Sequence, residues 1–173
     1  SRIVSTARQL GAVIDDLLAM ARSDIDSFSL VREPVDLDEL AAEALAQAGV
    51  LAARQGVRLG EPPGRTGRHV VAGDPLRLSQ LLGVLLDNAT RYSRAGDRVD
   101  ILIEAEPTEL RVTVRDQGIG IPVHELPQVF DRHFRGALAR RHSPDGSGLG
   151  LSIARSLARA HGGQLELHSN ADG

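Results

Sequence analysis

Asp116-Gln117-Gly118-Ile119-Gly120-Ile121-Pro122 and Gly146-Ser147-Gly148-Leu149-Gly150-Leu151 decide the reading of this chain, with Val129-Phe130-Asp131-Arg132-His133-Phe134-Arg135 between them. Two glycine-rich turns enclose a segment that has no sustained helical or strand period. Each turn is followed by residues that can start a helix. Glycines in such places let backbone N–H groups approach a phosphate closely, and a helix N-terminus favours an anion. Asp116, at the head of the first turn, can accept a hydrogen bond from a base edge. Arg132 and Arg135 bring positive charge between the turns. The pattern predicts a nucleotide clamp closed by a lid.

The bulk properties fit one domain with an appendage, since the chain has 173 residues. Aromatic residues make up only 2%, so the core must be built from Leu, Val, Ile and Ala. A net charge of −3 argues against general nucleic-acid binding. All 20 basic residues are Arg, which reads as a bias of GC-rich coding rather than a functional signal. The absence of Cys excludes disulfides, zinc–thiolate sites and thiol catalysis. Apolar runs are too short to span a bilayer, and no signal-peptide pattern is visible.

In chain order, Ile3, Ala7, Leu10, Ile14, Leu17 and Ala21 are spaced alternately by four and three residues, a coiled-coil seam. The strict period favours a partner helix over packing on the same domain. The chain opens directly in this pattern, so it reads as part of something longer. Pro34 ends any helix before it. Asp36 with Glu39 is a capping box that predicts a second helix ending near Gln55-Gly56. Val57–Leu59 and His69–Ala72 are strand candidates. Asp74-Pro75 starts a third helix whose core face is Leu78, Leu81, Leu82, Leu85 and Ala89. Asn88, Arg91 and Tyr92 share another face of it. Val99–Ala105 and Leu110–Arg115 alternate as a β-hairpin, a helix follows Gly148 and runs to His161-Gly162-Gly163, and Gln164–His168 is a last strand candidate. This order predicts an α+β fold, a two-layer sandwich of a mixed sheet with helices on one face, preceded by the coiled-coil helix. The expected division is 1–30 for that helix and 31–173 for the domain.

Four blocks line up: Asn88 within Leu85–Ser93, the Asp116-x-Gly118-x-Gly120 turn, Phe130–Arg135, and Gly146-x-Gly148-Leu149-Gly150. Each is common by chance; together and in this order they are specific. They resemble the N, G1, F and G2 boxes of the sensor histidine kinases of two-component systems. Those kinases belong to the wider Bergerat-fold ATPases, with DNA gyrase, the heat-shock ATPase chaperones and the mismatch-repair ATPases. The resemblance covers residues 36 to 169. The run Asp15–Arg22 resembles the second helix of the family's dimerisation and phosphoacceptor hairpin.

The resemblance implies ATP and Mg²⁺ as ligands, with the metal held by the amide oxygen of Asn88. It implies that Asp116 accepts the adenine amino hydrogen and that Gly118 and Gly120 make room for the base. Arg91 and Tyr92 line the nucleotide, and Arg132 and Arg135 reach its phosphates from a lid that is mobile until nucleotide binds. Gly146, Gly148, Leu149 and Gly150 form the lid hinge and place N–H groups at the phosphates. No catalytic side chain is assigned. The implied reaction moves the ATP γ-phosphate to a histidine, and then to an aspartate of a response regulator. Val84 stands where the N box has another Asn, and the first histidine is His69, so the phosphoacceptor is expected outside this chain. The chain is then the cytoplasmic portion of a membrane sensor. It dimerises through its phosphoacceptor helix in the whole protein, and is expected to be a monomer by itself. The competing reading is a nucleotide-gated dimerisation module without phosphotransfer, for which Asp87 is the nearest general-base candidate. A third reading, an anti-sigma-type serine kinase, is disfavoured by the heptad helix.

Overall fold

The computed structural model describes residues 30–64 and 69–169. The coiled-coil expectation for residues 1 to 26 lies outside them. The elements are β1 (Glu33–Asp36), α1 (Leu37–Gln55), β2 (Arg58–Leu59), β3 (Val70–Gly73), α2 (Pro75–Arg91), β4 (Arg98–Ala105), β5 (Leu110–Asp116), a 3-10 segment (Val123–Gln128), α3 (Ala137–His142) and α4 (Gly150–Ala160).

Local chemistry sets the helix ends. The Asp36 carboxylate accepts from Asp38 N and Glu39 N at the head of α1, and Gly56 closes it in the left-handed region at φ 70°. Asp74 caps α2 by accepting from Arg77 N at 3.1 Å, and Pro75 occupies the first position, where its missing N–H costs nothing.

The main sheet is mixed and three-stranded, in the order β2-β4-β5. β2 lies parallel to β4 through Arg58↔Arg98, and β4 and β5 form an antiparallel hairpin from Val99↔Asp116 to Ala105↔Leu110. α1 and α2 cover one face. Leu40, Ala41, Leu45, Leu82 and Leu86 pack there with Val99 and Ile101, and Val112 and Val114 join from β5. Leu102, pointing the other way, is exposed. α2 packs against both α1 and α4.

Four details depart from the sequence reading. β1 was not foreseen; it pairs antiparallel with β3 in a small sheet of its own, so the His69–Ala72 candidate joins that sheet and not the main one. Gln164–His168 forms no strand with any partner among the described residues. Its alternation survives, with Leu165 and Leu167 half-buried between exposed neighbours. In α2 the fully buried leucine is Leu86, while Leu85 is only half-buried. The segment between the glycine turns contains the 3-10 segment and α3, which are too short to show a period.

α4 is held at its far end. The His161 ring donates from Nδ1 to Leu157 O at 2.8 Å and accepts from Asp74 N at Nε2 at 3.1 Å. His161 is therefore a packing residue at the helix end. Arg32 Nη2 donates to Ala160 O at 3.2 Å beside it.

Candidate functional site

Burying Leu82, Leu86 and Ala89 in the core fixes the rotation of α2 and leaves Asn88, Arg91 and Tyr92 half-exposed together. Asn88 meets the first residue of α4. A Cβ on Gly150 would lie 3.6 Å from Asn88 Nδ2 and 3.2 Å from Val84 Cγ1. The N-terminus of α4 has no side-chain cap, so its first N–H groups stay available beside that amide. Val84 thus makes an apolar contact against Gly150 at the position where the N box has a second Asn.

Arg91 makes a bidentate pair with Asp87, the shortest contact being 2.9 Å. A partly exposed i,i+4 pair of this kind contributes only about 0.3–0.5 kcal/mol. The same pair occupies Asp87, the general-base candidate of the competing reading.

Tyr92 closes α2 and joins it to the first glycine turn, since Ile119 N donates to Tyr92 O at 3.0 Å. A Cβ on Gly118 would collide with that carbonyl, which is why the turn needs glycine there. Asp116 ends β5 and accepts from Gly118 N at 2.9 Å through Oδ1, while its side chain remains exposed. That leaves its other oxygen for a ligand. Gly120 takes a left-handed φ of 66°. The Tyr92 ring lies 6.4 Å from that of His142, the last residue of α3.

The lid is anchored at its base. Arg155 of α4 stacks over Phe130 at 4.9 Å and donates to its carbonyl, which anchors Phe130 to α4. The two ends of the lid meet where His133 N donates to Gly148 O at 3.0 Å. A Cβ on Gly148 would come within 2.8 Å of the His133 backbone, and His133 itself adopts φ 63°. A non-glycine residue held there stores roughly 1–3 kcal/mol of strain.

Arg135 is engaged within the segment between the glycine turns. Its guanidinium donates to Pro144 O at 2.7 Å and to Ser143 O, packs against Gly146, and leaves Nε buried without a partner. Here it ties the lid together. Arg132 is exposed. His69 is bonded to the buried Asp38 at 2.8 Å, a contact no local pattern announced. Among the described residues, no group of three His, Cys, Asp or Glu side chains is placed to hold a metal ion. The donor available for one is the Asn88 amide oxygen, which suits a hard cation that keeps phosphate and water oxygens.

Asp116, Gly118 and Tyr92 are thus joined at the first glycine turn, and Asn88 and Gly150 meet one turn back along α2. The model of the family described as "Histidine kinase-, DNA gyrase B-, and HSP90-like ATPase" matches residues 73–173. The "Probable sensor histidine kinase TcrY" of Mycobacterium tuberculosis is 34% identical over 170 residues, which is 98% of this chain and 35% of TcrY. The chain thus spans about a third of that relative's length. The solved mycobacterial sensor histidine kinase MprB shares 34% identity with a TM-score of 0.63, over 75% of this chain and 82% of that one. Full-length ShkA in complex with AMPPNP shares the fold, with a TM-score of 0.75 at 23% identity over 91% of this chain and 32% of ShkA.

Proposed function

The chain belongs to the histidine kinase-, DNA gyrase B- and HSP90-like ATPases, as an ATP-binding catalytic domain of the sensor histidine kinase kind, and from that premise we propose that its glycine turns and lid bind ATP with Mg²⁺ for phosphoryl transfer to a histidine outside this chain. The observation that carries this reading is the contact of Asn88 with Gly150 under the uncapped start of α4.

Asp116 accepts the adenine amino hydrogen, a contact guanine cannot offer at that position. Gly118 and Gly120 keep side chains out of the base pocket. The first N–H groups of α4 meet the phosphates, where the helix dipole adds to their attraction. Asn88 would hold the magnesium ion that comes with the nucleotide, and that ion would neutralise phosphate charge. Tyr92 lines the nucleotide. Arg91 exchanges Asp87 for phosphate, and Arg132 and Arg135 contribute charge from the lid. For Arg135 this requires giving up Ser143 and Pro144, whose carbonyls hold it. Catalysis rests on positioning and charge neutralisation, so no side chain need act as a base.

The acceptor is a histidine of the phosphoacceptor helix, and the next acceptor is an aspartate of a response regulator. His69 is unsuited to the first role because it is committed to Asp38 inside the domain. No helix among the described residues is long and apolar enough to cross a membrane. The whole protein is read as a homodimeric membrane sensor with this portion in the cytoplasm. The test is to incubate the full-length protein with γ-labelled Mg-ATP. Acid-labile, base-stable label on the protein is expected; nucleotide binding without such label would favour a gated dimerisation module.

A further inference from the structure

Glu125 has no place in the nucleotide contacts, yet it sits at the joint between the two halves of the site. It lies in the 3-10 segment directly after the Asp116–Pro122 turn, and its own N–H donates to Pro122 O at 2.8 Å. Its carboxylate Oε1 accepts from Ala137 N, the first residue of α3, at 3.0 Å. Gly136, the residue before α3, provides no side-chain cap of its own. A Cβ on Gly136 would fall on the Glu125 carboxylate, so the absence of a side chain there is what admits it. The opposite end of α3 is held separately, where Arg135 donates to Ser143 O and Pro144 O just beyond it, while Arg140 donates to Arg135 O at the same end as Glu125.

We propose that Glu125 is the positioning residue of the lid: its carboxylate caps α3 in the space left by Gly136 and so fixes the lid to the base-reading turn before nucleotide arrives. The proposal rests on the nucleotide reading above and deepens it. A lid already seated loses less conformational freedom when ATP binds, so the contact shows in affinity although it touches no ligand. A carboxylate at a helix start also satisfies an otherwise unpaired N–H and meets the positive end of the dipole. The carboxylate and the missing Cβ are two halves of one device, and this makes the idea testable by a cycle of substitutions.

The experiment uses the whole protein, nucleotide-free and with Mg-ATP. Glu125→Ala is expected to raise the ATP dissociation constant about tenfold, the cost of one hydrogen bond to a charged group. Glu125→Gln, which keeps an acceptor oxygen, is expected to stay within about threefold of the parent. Gly136→Ala is expected to match Glu125→Ala, because its Cβ displaces the carboxylate. In the Glu125→Ala background Gly136→Ala is expected to add nothing. Trypsin cutting compared at two sites separates local opening of this segment from general destabilisation. The exposed Arg140–Arg141 site should be cut about tenfold faster in nucleotide-free Glu125→Ala, as expected when one capping contact closes the segment. Cutting at Arg111 in β5 should be unchanged. Equal cutting of the lid in parent and Glu125→Ala, or a Gly136→Ala penalty that persists without Glu125, overturns the proposal. If the parent protein fails to bind ATP, the nucleotide reading falls, and lid cutting in nucleotide-free protein alone decides the role of Glu125.

Discussion

Gly150 begins α4 directly against Asn88: a Cβ at residue 150 would stand 3.6 Å from the Asn88 amide nitrogen and 3.9 Å from its oxygen. Any larger side chain would fill the gap between the amide and the helix start. Gly150→Val is expected to weaken ATP binding about tenfold or more, the scale of a crowded contact. Asn88→Ala is expected to remove the Mg²⁺ dependence of ATP binding. Titration calorimetry with and without a chelator measures both. Undiminished Mg²⁺ dependence in Asn88→Ala would rule out its role as metal ligand.

Asp116 divides its carboxylate between shaping a turn and facing the base pocket. Asp116→Ala is expected to erase the preference for ATP over GTP, a discrimination worth roughly 1–3 kcal/mol when a charged acceptor is lost. Competition binding with the two nucleotides reads it. An unchanged preference would exclude base reading by this residue.

The pairing of Asp87 with Arg91 leads to a different kind of expectation. If Asp87 only positions Arg91, Asp87→Asn should change phosphoryl transfer or ATP turnover by no more than about threefold, the scale of an exposed ion pair. Loss of a general base would cost roughly 10²–10⁴-fold. The two outcomes lie far enough apart for a simple steady-state assay to separate them.

Leu86 has no accessible surface, while its neighbour Leu85 is half-buried. Leu86→Ala is expected to destabilise the domain by about 2–5 kcal/mol and Leu85→Ala by clearly less. Urea unfolding followed by circular dichroism compares them.

That pair also shows where the sequence stops speaking. The spacing of Leu78, Leu81, Leu82, Leu85 and Ala89 gives the existence of α2, but α2 packs against α1 and α4 as well as the sheet. Its apolar surface is therefore wide, and its centre cannot be read to within one residue. The caps at Asp36, Gly56 and Asp74 were legible because capping is local chemistry. β1 was not legible: it has four residues, one of them a proline with no N–H to give, and only β3 defines it. The glycine turns were visible as motifs. Their reasons were not, since the Gly118–Tyr92 and Gly148–His133 contacts join residues apart in the chain. Arg135 shows a further limit. Sequence can mark a cation for an anionic site but cannot say that lid carbonyls occupy it first.

α2 and α4 touch at both ends, with Gly150 beside Asn88 at one and His161 bonded to Asp74 at the other. The two helices consequently run in opposite directions and share two fixed reference points. Neither can slide or ratchet by a turn along the other without breaking a terminal contact. The helix pair is thereby pinned in register at both ends, a common frame for the two glycine-rich segments that adjoin it.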